Sequence, residues 1–116
     1  MANALRGDVK AVIAGEQFVL RMDMNAMCEL EAELGEPAAS VLGRMAAPQA
    51  FMRDIRAILW ASLRRHHAGT TIEAAGNLLH EDGPGARAAI LSALSASAPP
   101  PEGDAGKKAP AADVRP

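Results

Sequence analysis

The stretch Pro48 to His67, PQAFMRDIRAILWASLRRHH, is the longest run in the chain with an unbroken helical period. Apolar and small side chains recur in it at steps of three and four residues and so form one stripe: Phe51, Met52, Ile55, Ile58, Leu59, Ser62 and Leu63. The charged side chains fall on the edges and the back of the same helix: Arg53, Asp54, Arg56, Arg64 and Arg65. Pro48 suits a first helical position, where its missing N–H costs nothing, and Gly69 is a stop signal. We expect a central helix over 48–67 that the other elements cover.

The chain of 116 residues is long enough for one modest domain, which we expect to cover 5–97. A single cysteine, Cys28, excludes an intrachain disulfide. The N-terminus lacks the apolar core of a signal peptide, and no window approaches the length of a membrane span. A net charge of −2 offers little attraction to nucleic acid or to an anionic membrane. We therefore expect a cytoplasmic protein that binds neither.

Residues 8–22, DVKAVIAGEQFVLRM, predict a β-hairpin. Apolar side chains alternate with others on both sides of the turn Ala14-Gly15-Glu16. The inner positions are Val9, Ala11, Ile13, Phe18 and Leu20. A lone hairpin is marginal in water, so its apolar face should lie on a helix or on a partner. Its outer edges are candidates for pairing with another strand.

Four further helices are predicted, over 24–34, 37–45, 71–81 and 84–97. Asp23 is a good N-cap for the first, and Gly35 ends it. Thr70 and Glu73 have the spacing of a capping box before the third. The expected inward side chains include Met24, Met27, Leu30 and Leu34 in the first helix and Ile90, Leu91 and Leu94 in the last.

From Ala98 the composition changes, because 98–116 holds five of the eight prolines and one large aliphatic residue, Val114. Such a segment buries too little to offset the entropy of ordering, so we expect a disordered tail. The predicted fold class is α+β, mainly α: an N-terminal β-hairpin, four or five short-to-medium helices and this tail.

The sequence contains no residues in a pattern that predicts catalysis, a cofactor site or a metal site. His66 and His67 are adjacent, so on a helix their side chains diverge by about 100°. They and His80 fit solvated residues at helix ends, and Cys28 fits a small buried hydrophobe. The chain has no metal-ligand spacing, nucleophile motif or phosphate-binding glycine loop.

Trp60 is the most informative candidate for a contact with a partner. On the central helix it points about 130° from the middle of the apolar stripe, beside Arg53, Arg56 and Arg64. Two interpretations stay open: a neighbouring element covers the indole, or Trp60 is a partly exposed anchor for a partner. Arg64 and Arg65, with Arg53 and Arg56 on the same helix, form the densest basic surface, so a small helical DNA-binding regulator is a further, less favoured alternative.

Three segments carry a resemblance to a known family: Leu20-Arg21, Met27-Cys28-Glu29-Leu30-Glu31 with Leu34-Gly35, and Ile58-Leu59-Trp60-Ala61-Ser62-Leu63-Arg64. Over about residues 4–80 the chain resembles the small tail assembly chaperones of gene transfer agents and related alphaproteobacterial prophages. The resemblance implies a non-enzymatic role in tail morphogenesis, with the tape-measure protein, the tail-tube protein or both as partners.

The family label sometimes denotes a tail-tube protein, so a structural subunit of the tail is the alternative. We expect the hairpin edge (Val9 to Ile13 and Phe18 to Met22) to mediate self-association into a homo-oligomer or strand addition. Trp60 and the neighbouring arginines are the expected second contact surface.

Overall fold

The computed structural model describes residues 7–45 and 50–97. They form an antiparallel hairpin followed by five helices, which confirms the predicted fold class. The elements are β1 (Val9–Ile13), β2 (Glu16–Leu20), α1 (Met24–Leu34), α2 (Ala38–Arg44), α3 (Met52–Leu63), α4 (Ile72–Glu81) and α5 (Gly83–Ser97). The predicted tail at 98–116 and the predicted helix start at Pro48 lie outside the described residues.

The hairpin turns through Ala14 and Gly15, which both have positive φ, 54° and 81°. Two such residues in succession suit the right-handed twist of paired strands. The register pairs Val9 with Leu20 and Ala11 with Phe18, so all of the predicted inner positions share one face. Ile13 and Leu20 are fully buried in this face, which packs mainly on α5 and α3.

Helix α3 is the centre of the molecule, as its sequence predicts. It contacts α1, α4, α5 and β2. Eight of its twelve residues are buried, from Asp54 to Leu63. The buried arc is wider than the predicted stripe because Ala57 and Ala61, too small to dominate an apolar pattern, let neighbouring elements approach closely.

Several side chains differ in burial from what their sequence positions predict. Asp54, assigned to the edge of the helix, is fully buried, whereas Phe51 and Met52, assigned to the stripe, are 57% and 59% exposed. Phe51 is the N-cap and Met52 is the first residue of α3, so both lie before the buried arc of the helix, which starts at Asp54. Met24 and Leu91 are exposed too, and Cys28, expected to be buried, faces solvent. In α1 the buried residues are Ala26 and Leu30, so the opposite side of the helix, which carries Met24 and Cys28, faces outward.

The caps of α1 are the ones that the sequence predicts, and the ends of α3 and α4 differ from the prediction by one to four residues. Asp23 accepts a hydrogen bond from the Ala26 N–H, and Gly35 closes α1 with φ 68°, both as predicted. The N-cap of α4 is Thr71, which accepts from the Ala74 N–H, one residue later than predicted. Helix α3 ends at Leu63 rather than at His67, and turns follow it.

Candidate interaction surfaces

The outer edge of β2 is already bonded within the molecule. The Val19 N–H donates to Nε2 of His67 at 3.1 Å. The Arg21 N–H donates to the carbonyl oxygen of Ser62 at 2.7 Å. The His67 ring also meets Phe18 edge-on, with ring centroids 5.3 Å apart. The turn after α3 thus covers this edge, and His67 has a structural role that its sequence position did not reveal.

The outer edge of β1 is different. In a two-residue hairpin the N–H groups of Lys10 and Val12 point away from the partner strand, given the pairing of Ile13 with Glu16. Within 7–45 and 50–97, neither group has a hydrogen bond. Val12 is also 63% exposed. The Gln17 N–H of β2 is also unbonded within these ranges, but Val19 and Arg21 of that edge are bonded, whereas β1 keeps both of its outward donors for a further strand.

The hairpin residues proposed as contacts divide by depth. Ile13 and Leu20 are fully buried, and Val9, Ala11 and Phe18 are partly buried. Their side chains hold the hairpin on the helices. A partner strand at this edge would therefore be bound through backbone groups of β1 rather than through these side chains.

Trp60 is held by contacts within the molecule. Its side chain is partly buried against the core, and its indole N–H donates to the carbonyl oxygen of Thr70 at 3.1 Å. The Arg64 guanidinium lies 5.3 Å from the ring centroid on its face. These contacts agree with the interpretation in which a neighbouring segment covers part of the indole.

Arg53 belongs to an ionic cluster that joins α2 to the start of α3. At its centre Arg44 binds the buried Asp54 with both Nε and Nη2, at 2.9 and 3.1 Å. Arg44 also donates to Glu36 at 2.6 Å, and Arg53 donates to Glu36 at 3.1 Å. The hydrogen bond from Arg44, together with both arginine charges, lowers the pKa of Glu36. Hydrogen bonds to Asp54 and then to Glu36 raise the pKa of Arg44.

The sequence did carry a signal for the buried Asp54. It lies four residues before Ile58 and eight before Ser62, which places it on the inner arc of α3. A charge at such a position needs a partner, and Arg44 supplies it. What the sequence does not show is that Arg44 is that partner, because the two residues belong to different helices.

The other two candidate arginines differ in their surroundings. Arg64 stacks on Trp60 and lies 3.8 Å from Glu29. Arg56 is exposed and has no ion pair or hydrogen bond with any residue in the described part of the chain. Arg56 lines a groove between α3 and α4.

His66 and His67 both make contacts that the sequence did not predict, whereas His80 is exposed and has no hydrogen bond or ion pair within 7–45 and 50–97. His66 Nε2 is 3.1 Å from Asp8 Oδ1, and Arg21 binds the same carboxylate. Burial raises the pKa of Asp8, but hydrogen bonds from His66 and Arg21 outweigh it, and the net shift is downward. In the ranges 7–45 and 50–97, no group of three or more His, Cys, Asp or Glu side chains is placed to hold a metal ion.

None of the helices that the structure describes has the length and apolar character needed to cross a membrane. Comparisons with curated proteins and with solved structures found no match. A family model described as phage tail tube protein, GTA-gp10, matches residues 6–98. The match spans every strand and helix, from β1 to α5. The chain therefore belongs to the phage tail tube protein GTA-gp10 family.

Proposed function

We propose that the chain is a structural subunit of the tail of a phage-like particle and acts through protein contacts without catalysis. The observation that carries this proposal is the family match, which includes all seven elements and is described by a tail-tube function. A subunit of this kind needs surfaces for its neighbours rather than a pocket. The open edge of β1 is one such surface, and it is suited to strand addition.

The test is whether the protein remains in finished particles. Particles purified by density gradient are analysed by quantitative mass spectrometry, with the head proteins as an internal reference. A structural subunit gives a fixed, multi-copy ratio to the other tail proteins. Absence from intact, fully assembled particles would overturn this proposal.

A second candidate function, tail assembly chaperone, is favoured by the exposed apolar side chains. Met24 is 71% exposed and Met52 is 59% exposed, and they lie on different helices. Flexible thioethers adapt to varied partner surfaces, as a transient binder of tape-measure or tail-tube protein requires. Such a chaperone would act in the cytoplasm before the tail polymerises.

Co-expression separates the two functions. A chaperone increases the soluble yield of the tape-measure or tail-tube protein, co-purifies with it and is missing from finished particles. Replacing Trp60 by Ala tests the second predicted contact surface in the same assay, with a thermal melt of the isolated chain to detect unfolding. If complex formation survives this change in a folded chain, Trp60 has no role in that contact.

A further inference from the structure

The His67 side chain can bind the outer edge of β2 in one protonation state only. Its Nε2 accepts a hydrogen bond from the Val19 N–H at 3.1 Å. Because a backbone N–H can only donate, Nε2 carries a lone pair, and the proton of the neutral ring lies on Nδ1. In a protonated ring both nitrogens are donors. Protonation of His67 therefore removes the acceptor of the Val19 N–H.

The turn that carries His67 is held by bonds that do not involve its ring. The His67 N–H donates to the carbonyl oxygen of Leu63 at 2.8 Å, and the Thr70 N–H donates to the carbonyl oxygen of His67 at 2.9 Å. Neither bond changes when the imidazole gains a proton. Release of Val19 consequently needs the rotation of one partly buried side chain, while α3 and the turn stay in place.

The adjacent His66 responds to protonation in the opposite sense. Its Nε2 lies 3.1 Å from Oδ1 of Asp8, so a protonated His66 ring has a carboxylate as its partner. Arg65 lies 3.5 Å from Asp23 and is a further anchor of the same turn. Protonation thus strengthens the hold on the turn at His66 and breaks the bond at His67.

No carboxylate is placed to keep a protonated His67 ring against the strand. Within 7–45 and 50–97, His67 has no ion pair, and Asp8 and Asp23 both bind Arg21. The other charged groups on the neighbouring elements are Lys10 opposite Val19 on β1, Glu16 on β2, Glu29 on α1, and Arg64, Arg65 and His66 on the turn itself. The protonated ring therefore gains no acidic partner in exchange for the lost bond.

We propose that His67 is a pH-sensitive latch on the β2 edge, which the neutral ring closes and the protonated ring opens. Opening frees the Val19 N–H beside the Gln17 N–H, which is unbonded within the described ranges. These donors lie two residues apart on one edge, the spacing that an added strand requires. The opened edge is a second site for an extended polypeptide segment, beyond the β1 edge of the proposed function.

Amide hydrogen exchange of the full-length chain, followed by NMR at pH 7.5 and pH 5.5, tests the latch. Histidine side chains gain a proton in this interval. Each rate is expressed as a protection factor, relative to an unstructured peptide at the same pH. We expect the protection factor of Val19 to fall roughly tenfold or more at pH 5.5. That of Arg21 should change by less than about twofold, because its N–H donates to the Ser62 carbonyl oxygen on the same edge.

Two substitutions of His67 separate the latch from a general loss of stability. His67→Gln supplies an amide oxygen that accepts at every pH, so Val19 should stay protected at both pH values. His67→Phe keeps a ring beside Phe18 but has no acceptor, so Val19 should exchange rapidly at both pH values. His66→Gln and His80→Gln remove the other two histidines, and each should keep the pH response of the parent chain.

Equal protection of Val19 at both pH values in the parent chain would overturn the inference, as would a pH response that persists in His67→Gln. A fall in protection shared by Arg21 and by the core of α3 would also overturn it, because that result is global destabilisation. Circular dichroism verifies the fold of each variant.

The nitrogen chemical shifts of the His67 ring give a measurement that needs no variant. At pH 7.5 the proton should lie on Nδ1, and a ring with its proton on Nε2 would refute the latch. These results are independent of the proposed function. The latch is a property of the folded chain in solution, whereas the composition of finished particles decides the structural role.

Discussion

At the residue scale, Asp82 joins three parts of the chain with one carboxylate. Its oxygens accept from the Ala14 N–H in the hairpin turn at 2.9 Å and from the Gly85 N–H in the first turn of α5 at 3.0 Å. These two backbone bonds lower the pKa of Asp82. The residue was recognisable in sequence as part of a helix break, but its bond to Ala14 depends on the tertiary fold.

The lowered pKa of Asp82 predicts a pH dependence of stability. A group whose pKa is lower in the folded than in the unfolded state stabilises the fold above its unfolded pKa, and this contribution is lost as pH falls through the folded value. Asp82→Asn should therefore reduce the free energy of unfolding at pH 7 and flatten its decline below pH 4. Urea titrations from pH 7 to pH 3 measure both effects. The neighbour Glu81→Gln is the control, and equal pH profiles for Asp82→Asn and the parent would refute the assignment.

Gly85 predicts a second effect at the same site. A Cβ at Gly85 would overlap the Asp82 carboxylate, so Gly85→Ala must displace that cap. We expect a loss of roughly 1–3 kcal/mol in the free energy of unfolding. Gly43→Ala is the matched control, because a Cβ there meets nothing within 4 Å. That change should stabilise the fold by roughly 0.5–1 kcal/mol, since alanine favours a helix. Equal effects of the two substitutions would contradict the steric argument.

At the element scale, the ionic cluster fixes α2 to α3. Asp54 is fully buried and receives two bonds from Arg44, so Asp54→Asn removes a buried charge from its cation. We expect a loss of about 2–3 kcal/mol, measured by chemical denaturation. Arg53→Ala should cost much less, because Arg53 is 56% exposed, its hydrogen bond is to Glu36, and it lies 3.6 Å from Asp54 without the two hydrogen bonds that Arg44 makes. A loss for Arg53→Ala as large as that for Asp54→Asn would show that Asp54 is not the centre of the cluster.

The strands and helices can be predicted from local sequence patterns, but the contacts between them cannot. Alternation located both strands, and the caps Asp23 and Gly35 located α1, because these signals lie within a few residues of each other. Periodicity also identified α3 as the central helix. It misassigned Met24 and Cys28, because α1 has apolar side chains on both sides and the sequence does not show which side meets α3. The β2 edge was unpredictable for the same reason: His67 is 48 residues from Val19.

The residues of the candidate site show the same difference between what local sequence predicts and what depends on tertiary contacts. The sequence groups Trp60, Arg53, Arg56 and Arg64 on one side of α3, because that grouping needs only helical geometry. Their different surroundings depend on Glu36, Thr70 and Gly76, which come from other elements. Arg56 is consequently the member of the group best placed to meet a partner.

At the scale of the whole molecule, stability should be unequally distributed. Helix α3 is covered by β2, α1, α4 and α5, whereas α2 packs on α1 and is joined to α3 by the Arg44–Asp54 bonds. Segments with few buried apolar contacts open locally at lower free energy than the global transition. Of the residues in α2, only Ala38 and Val41 are buried.

Native-state hydrogen exchange should therefore separate the two helices. The amides of Leu59 to Leu63 in α3 should exchange only through global unfolding. Those of Leu42 to Arg44 in α2 should exchange at least 30-fold faster, a difference of roughly 2 kcal/mol. Asp54→Asn should accelerate α2 further relative to α3, because it cuts the link between them. Uniform exchange across both helices, or an equal acceleration everywhere in Asp54→Asn, would mean that α2 opens only together with the core.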